Sequence, residues 1–220
     1  MNKIDQPQDS LRHIRQIMER SSRFISLSGL SGVFAGLDAL IGAALVYLYL
    51  GTYPFQDRIF FFEMLEAQKD NNPDPITFFA LVGGLVLFSA LFFGVLFTTR
   101  NAKRKNLPIW DQLTKRLLIN LFIPLITGGV FIVGLLYRQL PGLIAPTTLI
   151  FYGLGLINAS KYTLGEIKYL GLCEIALGLL ALFFLGYGLE FWAIGFGILH
   201  IIYGTFMYLK YEKESNNNPA

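Results

Sequence analysis

The chain has 220 residues, of which 54% are hydrophobic and only 15% are charged, and its formal net charge is +3. Soluble domains carry about 25% charged residues, so this composition excludes an ordinary soluble domain, and the small net charge argues against nucleic acid as a partner. The apolar residues fall in blocks of about 20, the length of a helix that crosses a bilayer. We therefore predict an all-α fold, a polytopic transmembrane helical bundle.

The segment before the first apolar block is predicted to lie on the membrane surface. Within residues 10–23, Leu11, Ile14 and Ile17 recur at helical intervals, and basic residues surround them. A basic amphipathic helix of this kind is drawn to anionic lipid headgroups. The alternative is a solvated helix that only begins the first span. Residues 1–23 are assigned as an N-terminal segment with an interfacial helix.

Six membrane spans are predicted from the apolar blocks that follow. They are Phe24–Leu50, Ile76–Thr99, Leu117–Tyr137, Gly142–Ala159, Glu166–Gly186 and Leu189–Leu209. Together they form a transmembrane domain at 24–210, with one long external loop at about 51–75. The polar residues 211–220 are expected to form a disordered tail, because they lack the apolar residues that a packed core needs.

The distribution of basic residues predicts the orientation of the bundle. With six spans, 15 of the 18 Lys and Arg residues lie on the side that holds both termini, and the other side holds 3. The positive-inside rule assigns the more basic side to the cytoplasm. Both termini are therefore predicted to be cytoplasmic.

Three ionisable residues fall deep within predicted spans: Asp38, Glu174 and His200. At about 1.5 Å of rise per residue, all three lie near mid-membrane depth. On helical projection each borders a face of small residues, and a charged side chain that faced lipid instead would be costly. We predict that these three residues point into the bundle and form a candidate polar cluster.

Small and neutral polar residues complete the candidate set. Small residues let helices approach closely in lipid, and the predicted packing positions are Gly32, Gly36, Gly171, Gly178, Gly197 and Gly204. Neutral polar side chains inside spans can bond across helices, and the secondary candidates are Asn120, Tyr152, Asn158 and Tyr203.

The buried acids and the histidine suggest a proton or ion relay, because carboxyl and imidazole groups exchange protons. In the alternative, the same residues only join helices in an interaction, sensing or structural protein, including a homo-oligomer built through its small-residue faces. A further alternative is an intramembrane metal-dependent enzyme, since one His and two carboxylates resemble a facial triad. The sequence contains no GxSxG, HExxH or P-loop motif. No catalytic residue, cofactor or metal site is assigned.

Three stretches of the chain carry a resemblance to a known family. They are "MERSSRFISLSGLSGVFAG", "LIFYGLGLINASKYTLGEIKYLGLCEIALGLLALFF" and "GFGILHIIYGTFMYLKYE". In these stretches the chain resembles an uncharacterised family of bacterial multi-pass integral membrane proteins, which has no assigned activity. The resemblance covers nearly the whole chain and implies a location in the bacterial inner membrane.

Overall fold

A computed structural model describes residues 28–56, 66, 73–104 and 109–213, and within these ranges the chain is all-helical, without a strand. The first helices are α1 (Gly29–Leu50), α2 (Pro75–Arg104), α3 (Gln112–Tyr137), α4 (Ile144–Ala159, after a 3₁₀ turn at Pro141–Leu143) and α5 (Ile167–Phe183). The last four elements run without a break and are here called the terminal helix. They are α6 (Gly188–Trp192), a π-helical segment (Ala193–Leu199), α7 (His200–Met207) and a second π-helical segment (Tyr208–Lys213).

Five helices in the described ranges are long and apolar enough to cross a membrane. They are Gly29–Leu50, Pro75–Arg104, Gln112–Tyr137, Pro141–Ala159 and Gly188–Glu212. The remaining helix, α5, has 17 residues, which at 1.5 Å per residue make about 25 Å. The all-helical prediction is confirmed, and the five long helices are compatible with a membrane location.

Each predicted span overlaps one of these helices, but the ends differ. Helix α2 continues beyond Thr99 to Arg104, and α3 begins at Gln112 instead of Leu117. Both extensions carry Lys and Arg, which hydropathy excludes from a span but which a helix tolerates. The terminal helix continues through residues 211–213, which the sequence analysis assigned to a disordered tail; Tyr211 and Glu212 have bonding partners there.

Several predicted features lie outside the described residues. These are the interfacial helix at 10–23, most of the external loop at 51–75, and the tail at 214–220.

Helix α1 packs along the terminal helix through opposed glycines. A Cβ atom added to Gly204 would lie 2.6 Å from the carbonyl oxygen of Gly29 and 2.6 Å from the amide nitrogen of Val33. One added to Gly36 would lie 2.6 Å from the carbonyl oxygen of Gly197. The two backbones are therefore in direct contact, which only glycine allows.

Helices α4 and α5 form a second close pair. A Cβ atom on Gly153 would lie 2.5 Å from the carbonyl oxygen of Gly171, and one on Gly178 would lie 2.9 Å from that of Pro146. All six glycines that were predicted as packing positions therefore lie at these two helix contacts. Helices α2 and α3 pack on the outside of the pairs, α2 against α1 and α3 against α4.

The start of α1 and the end of the terminal helix are joined by Glu212. Its carboxylate accepts hydrogen bonds from the backbone amide of Gly29 (2.6 Å) and from the hydroxyl of Ser28 (3.1 Å). An acid at this position caps the first turn of α1 and faces the positive end of its dipole. The start of α1 and the end of the terminal helix therefore lie at the same face of the bundle.

Helix α3 begins at a conventional cap. The Asp111 carboxylate accepts hydrogen bonds from the amide (2.7 Å) and the hydroxyl (2.8 Å) of Thr114. Burial alone would raise the pKa of Asp111, but these hydrogen bonds outweigh it and hold that pKa below its ordinary value. The stabilisation is therefore complete above the ordinary pKa of an aspartate and is lost as the pH falls through the lowered value.

Asp111→Ala is expected to lower the free energy of unfolding by about 1 kcal/mol, because an N-cap acid contributes about that much. Denaturant unfolding in detergent micelles at neutral pH measures the loss. The neighbouring exposed Gln112, changed to Ala, is the control. Equal unfolding free energies for the two variants would contradict the capping role.

Candidate functional site

A buried polar cluster joins three helices near the middle of their length. It consists of Tyr152 on α4, Glu174 on α5 and His200 on the terminal helix. His200 is midway along Gly188–Glu212, about 18 Å from each end at 1.5 Å per residue. Glu174 is completely inaccessible to solvent, and His200 is 6% exposed. We call this the Glu174–His200–Tyr152 cluster.

His200 is held at both ring nitrogens. Its Nδ1 lies 2.9 Å from the carbonyl oxygen of Gly195, and its Nε2 lies 2.7 Å from the hydroxyl of Tyr152. A carbonyl can only accept, so Nδ1 carries a proton. In the neutral ring Nε2 then accepts from the hydroxyl of Tyr152. The two contacts therefore select one tautomer and fix the ring plane.

Glu174 faces the protonated side of that ring. Its Oε1 lies 3.5 Å from His200 Nδ1, an ion-pair separation that is too long for a strong hydrogen bond. Neither carboxyl oxygen has a hydrogen-bond partner among the described residues. Burying an unpaired carboxylate in the interior of a bundle costs free energy. The proton on Nδ1 is the one nearest to Glu174 that can neutralise its charge.

The backbone of the terminal helix makes room for this carboxyl group. A Cβ atom on Gly195 would lie 2.5 Å from Oε2 of Glu174. Gly195 is in the π-helical segment Ala193–Leu199, which directly precedes His200. π-helical geometry is rare in proteins, and where it occurs it is often at a functional site. Gly195 thus serves the cluster twice, through its carbonyl group and through its missing side chain.

This geometry forms a short chain for proton transfer. A proton donated by the hydroxyl of Tyr152 to Nε2 makes an imidazolium and leaves a phenolate, which must take up a proton from outside the cluster; the imidazolium can release the proton on Nδ1 toward Oε1 of Glu174. The imidazolium with a carboxylate and the neutral imidazole with a carboxylic acid differ only in where one proton sits. The cluster can therefore hold one proton in two places without a change of net charge.

Asp38, the third predicted member, lies elsewhere. On α1 it is one turn from Phe34, whose ring stacks on Phe93 of α2, and one turn from Gly42, which faces Val86 of α2. Its Oδ2 is buried without a hydrogen-bond partner among the described residues. The structure brings Glu174 and His200 together, but within the described ranges Asp38 has no hydrogen bond or ion pair to either.

The secondary polar candidates separate into two groups. Tyr152 belongs to the cluster, and Tyr203 packs beside it against Leu156, Ile167 and Leu170. Asn120 donates a hydrogen bond to the carbonyl group of Arg116 in its own helix and forms none with the cluster among the described residues. Asn158 is partly buried on α4.

A second polar group, not selected from the sequence, lies at the end of the bundle near Glu212. Glu166 accepts hydrogen bonds from Lys210 Nζ (2.5 Å) and from the hydroxyl of Tyr211 (2.6 Å). With Leu164, Gly165 and Tyr169, Glu166 and Tyr211 line a cavity of about 330 Å³.

A third acid is buried at the opposite end. Glu190, 8% exposed, accepts a hydrogen bond from the backbone amide of Phe55 at 3.0 Å. Acids are ordinary at the ends of apolar helices, so the sequence carried no signal that singled out Glu166, Glu190 or Glu212. Gly195 was likewise one of 22 glycines.

Metal binding has little support in this geometry. Within the described ranges, no three side chains of His, Cys, Asp or Glu come together in a group that could hold a metal ion. Glu174 and His200 provide two such groups, and the third neighbour of the histidine is a tyrosine hydroxyl.

No family model, curated protein or solved structure matches the chain.

Proposed function

We propose that the chain is a multi-pass protein of the bacterial inner membrane in which the Glu174–His200–Tyr152 cluster relays a proton. The observation that carries this proposal is the succession of acid, imidazole and phenol at mid-depth, with an ion-pair separation of 3.5 Å between the first two and a hydrogen bond of 2.7 Å between the last two. Intramembrane ionisable residues commonly mark proton relays. The work of the relay is proton movement, alone or coupled to another solute.

The proposed topology has six spans and cytoplasmic termini. The close pairing of α5 with α4 through Gly153 and Gly171 supports α5 as a span despite its 17 residues. The contact of Gly29 with Glu212 supports a shared side for the two ends. The excess of Lys and Arg predicted for that side supports the cytoplasm, and the family resemblance supports a bacterial inner membrane with anionic lipid at residues 10–23.

A structural role is the second candidate, and one observation favours it. The cluster joins α4, α5 and the terminal helix, which is what interhelical hydrogen bonds do in membrane proteins that carry no proton. In that case the polar residues would stabilise the bundle, alone or in a homo-oligomer, and their removal would change stability only.

Proton flux into liposomes separates the two candidates. The full-length protein is reconstituted with a pH-sensitive dye inside the vesicles, and a potassium-valinomycin potential drives protons inward. We expect acidification faster than in empty vesicles, and we expect Tyr152→Phe to slow it by about tenfold or more, because the ring nitrogen loses its proton donor.

The matched control is Tyr137→Phe, a change at a tyrosine on α3 that is 82% exposed. The control should acidify at the wild-type rate. A wild-type protein that acidifies no faster than empty vesicles would overturn the proposal. Tyr152→Phe that retains full flux but unfolds more easily would establish the structural role instead.

A further inference from the structure

A second cavity lies where the end of α2 passes the start of α1 and the end of the terminal helix. Its volume is about 290 Å³. Of the described residues that line it, Leu30 and Phe97 are apolar, Arg100 and Arg104 are basic and Glu212 is acidic. Sites for drug-sized ligands hold about 300–1,000 Å³, so this cavity has room for one small group. We call it the Arg100–Arg104 cavity.

The lining of this cavity changes from aromatic to basic along α2. The ring of Phe97 packs against that of Phe34 on α1, with 4.9 Å between the ring centroids. Arg100 is the first charged residue after the apolar block that ends at Thr99, and Arg104 is one turn further on. From Phe97 to Arg104 the helix rises by about 10 Å, and the headgroup layer on each side of a bilayer is about 5–8 Å thick. In a membrane the cavity therefore spans the boundary between the hydrocarbon and the headgroups.

The two arginines are spaced to bind one anion. Residues four apart on a helix have Cβ atoms about 5–6 Å apart, so both guanidinium groups can reach the same phosphate group. Each guanidinium group has several N–H donors in a planar fork that matches phosphate oxygens, and an arginine that bonds to the protein keeps donors for a ligand. Arg100 and Arg104 are both exposed, so their donors are accessible to a molecule outside the protein.

The acid in the described lining is engaged with α1. Both carboxylate oxygens of Glu212 accept a hydrogen bond from Ser28, and one of them also accepts from the amide of Gly29. The charged groups of the described lining are two arginines and this one glutamate, which leave one positive charge in excess. A phosphate diester carries one negative charge and balances that excess.

We propose that the Arg100–Arg104 cavity binds an anionic phospholipid, with the phosphate between the two arginines and the start of the acyl chains against Phe97 and Leu30. The apolar floor contributes nothing to inorganic phosphate, but it suits a phosphate that carries acyl chains. Basic clusters next to a membrane span commonly recognise anionic lipids. This inference rests on the membrane location and is independent of the proton relay. Under the topology proposed above, the lipid belongs to the cytoplasmic leaflet.

The bound lipid joins α2 to α1 at this end of the bundle. Helix α2 packs against α1, and most of its large apolar side chains are exposed to the surroundings. A phosphate held by the end of α2, with chain carbons against Leu30 of α1, adds a contact between the two helices. Because the site is formed only by the folded protein, the lipid stabilises the fold.

Lipid binding to the purified full-length protein tests the inference. The protein is delipidated in a neutral detergent and titrated with phosphatidylglycerol, and native mass spectrometry counts the lipids that it retains. Zwitterionic phosphatidylcholine with the same acyl chains is the comparison. We expect one phosphatidylglycerol to bind at concentrations at which phosphatidylcholine does not. Arg100→Gln and Arg104→Gln should each weaken binding about fivefold, the usual contribution of one basic residue to the binding of an anionic membrane surface.

The matched control is Lys103→Gln, which removes the same charge from an exposed position of α2 that does not line the cavity. It should leave the affinity unchanged. Denaturant unfolding in micelles gives a second readout, since phosphatidylglycerol should stabilise the wild type and the control but not the double arginine variant. Arg100→Gln alone, at an exposed residue, keeps the test available should the double variant fold poorly.

Three results would overturn the inference. Equal retention of phosphatidylglycerol and phosphatidylcholine would show that the cavity does not recognise the charge of the lipid. Equal weakening by Lys103→Gln and by the arginine variants would assign the attraction to the basic surface as a whole. Displacement of the lipid by excess inorganic phosphate would show that the site binds phosphate and does not recognise the acyl chains.

Discussion

Glu174→Gln should abolish proton uptake by the reconstituted protein and leave the bundle folded. The amide keeps the shape of the carboxyl group against Gly195, but it cannot take up and release the proton that His200 Nδ1 carries 3.5 Å away. Loss of the terminal acceptor stops the chain outright, whereas loss of Tyr152 removes only its donor. We expect the uptake rate to fall by about a hundredfold or more, as measured with the internal dye.

The matched control is Asp38→Asn. It makes the same chemical change in a half-buried aspartate that lies on the α2 side of α1, outside the cluster. We expect its uptake rate to stay at the wild-type value. If both neutral variants transport normally, neither Glu174 nor Asp38 carries protons. If Asp38→Asn alone stops uptake, the relay has been assigned to the wrong carboxyl group.

The largest expected effect on stability comes from Gly204→Ala. The added methyl group would lie 2.6 Å from backbone atoms of Gly29 and Val33, and no rotamer change can relieve a contact with backbone. Helix α1 and the terminal helix must therefore move apart, which also loosens the cap that Glu212 forms. We expect a loss of about 2 kcal/mol or more in the free energy of unfolding, measured by denaturant unfolding in micelles.

Gly129→Ala provides the comparison. Gly129 lies in α3, and a Cβ atom there would meet nothing within 4 Å. Because alanine favours a helix over glycine, this variant should be unchanged or more stable by up to about 1 kcal/mol. Equal stability for the two alanine variants would mean that the helix contact at Gly204 does not hold the bundle together.

Most of the helical architecture could be predicted from the sequence, because apolar length is a strong local signal. Every predicted span overlaps a helix, and the small-residue faces on helical projection contain Gly36, Gly197 and Gly171, which lie at the helix contacts; Gly153, which lies opposite Gly171, was not predicted. The ends of α2 and α3 could not be predicted from hydropathy, since helices extend past the apolar block. The helical residues Tyr211 and Glu212 depend on bonds to Glu166 and Gly29, which are distant in sequence.

The candidate site was predictable in part. Depth along each span puts Glu174 and His200 at a common level, which made their contact plausible. Helical projection gives the direction of a side chain but not the identity of the neighbouring helix, so it could not tell that Asp38 packs toward α2. Nor does the residue pattern foretell a π-helical segment, and without that geometry the hydrogen bond from His200 to Gly195 could not be inferred.

The cap on α1 has a consequence for biosynthesis. Gly29 and its partner Glu212 are 183 residues apart in the chain. The glycine face of α1 likewise makes its contacts with Gly197 and Gly204, which are late in the chain. A ribosome releases α1 long before it makes these residues, and non-local contacts of this kind form late. Helix α1 is thus made long before its permanent neighbour, and until the terminal helix has been made the small-residue surface of α1 stays open to other helices.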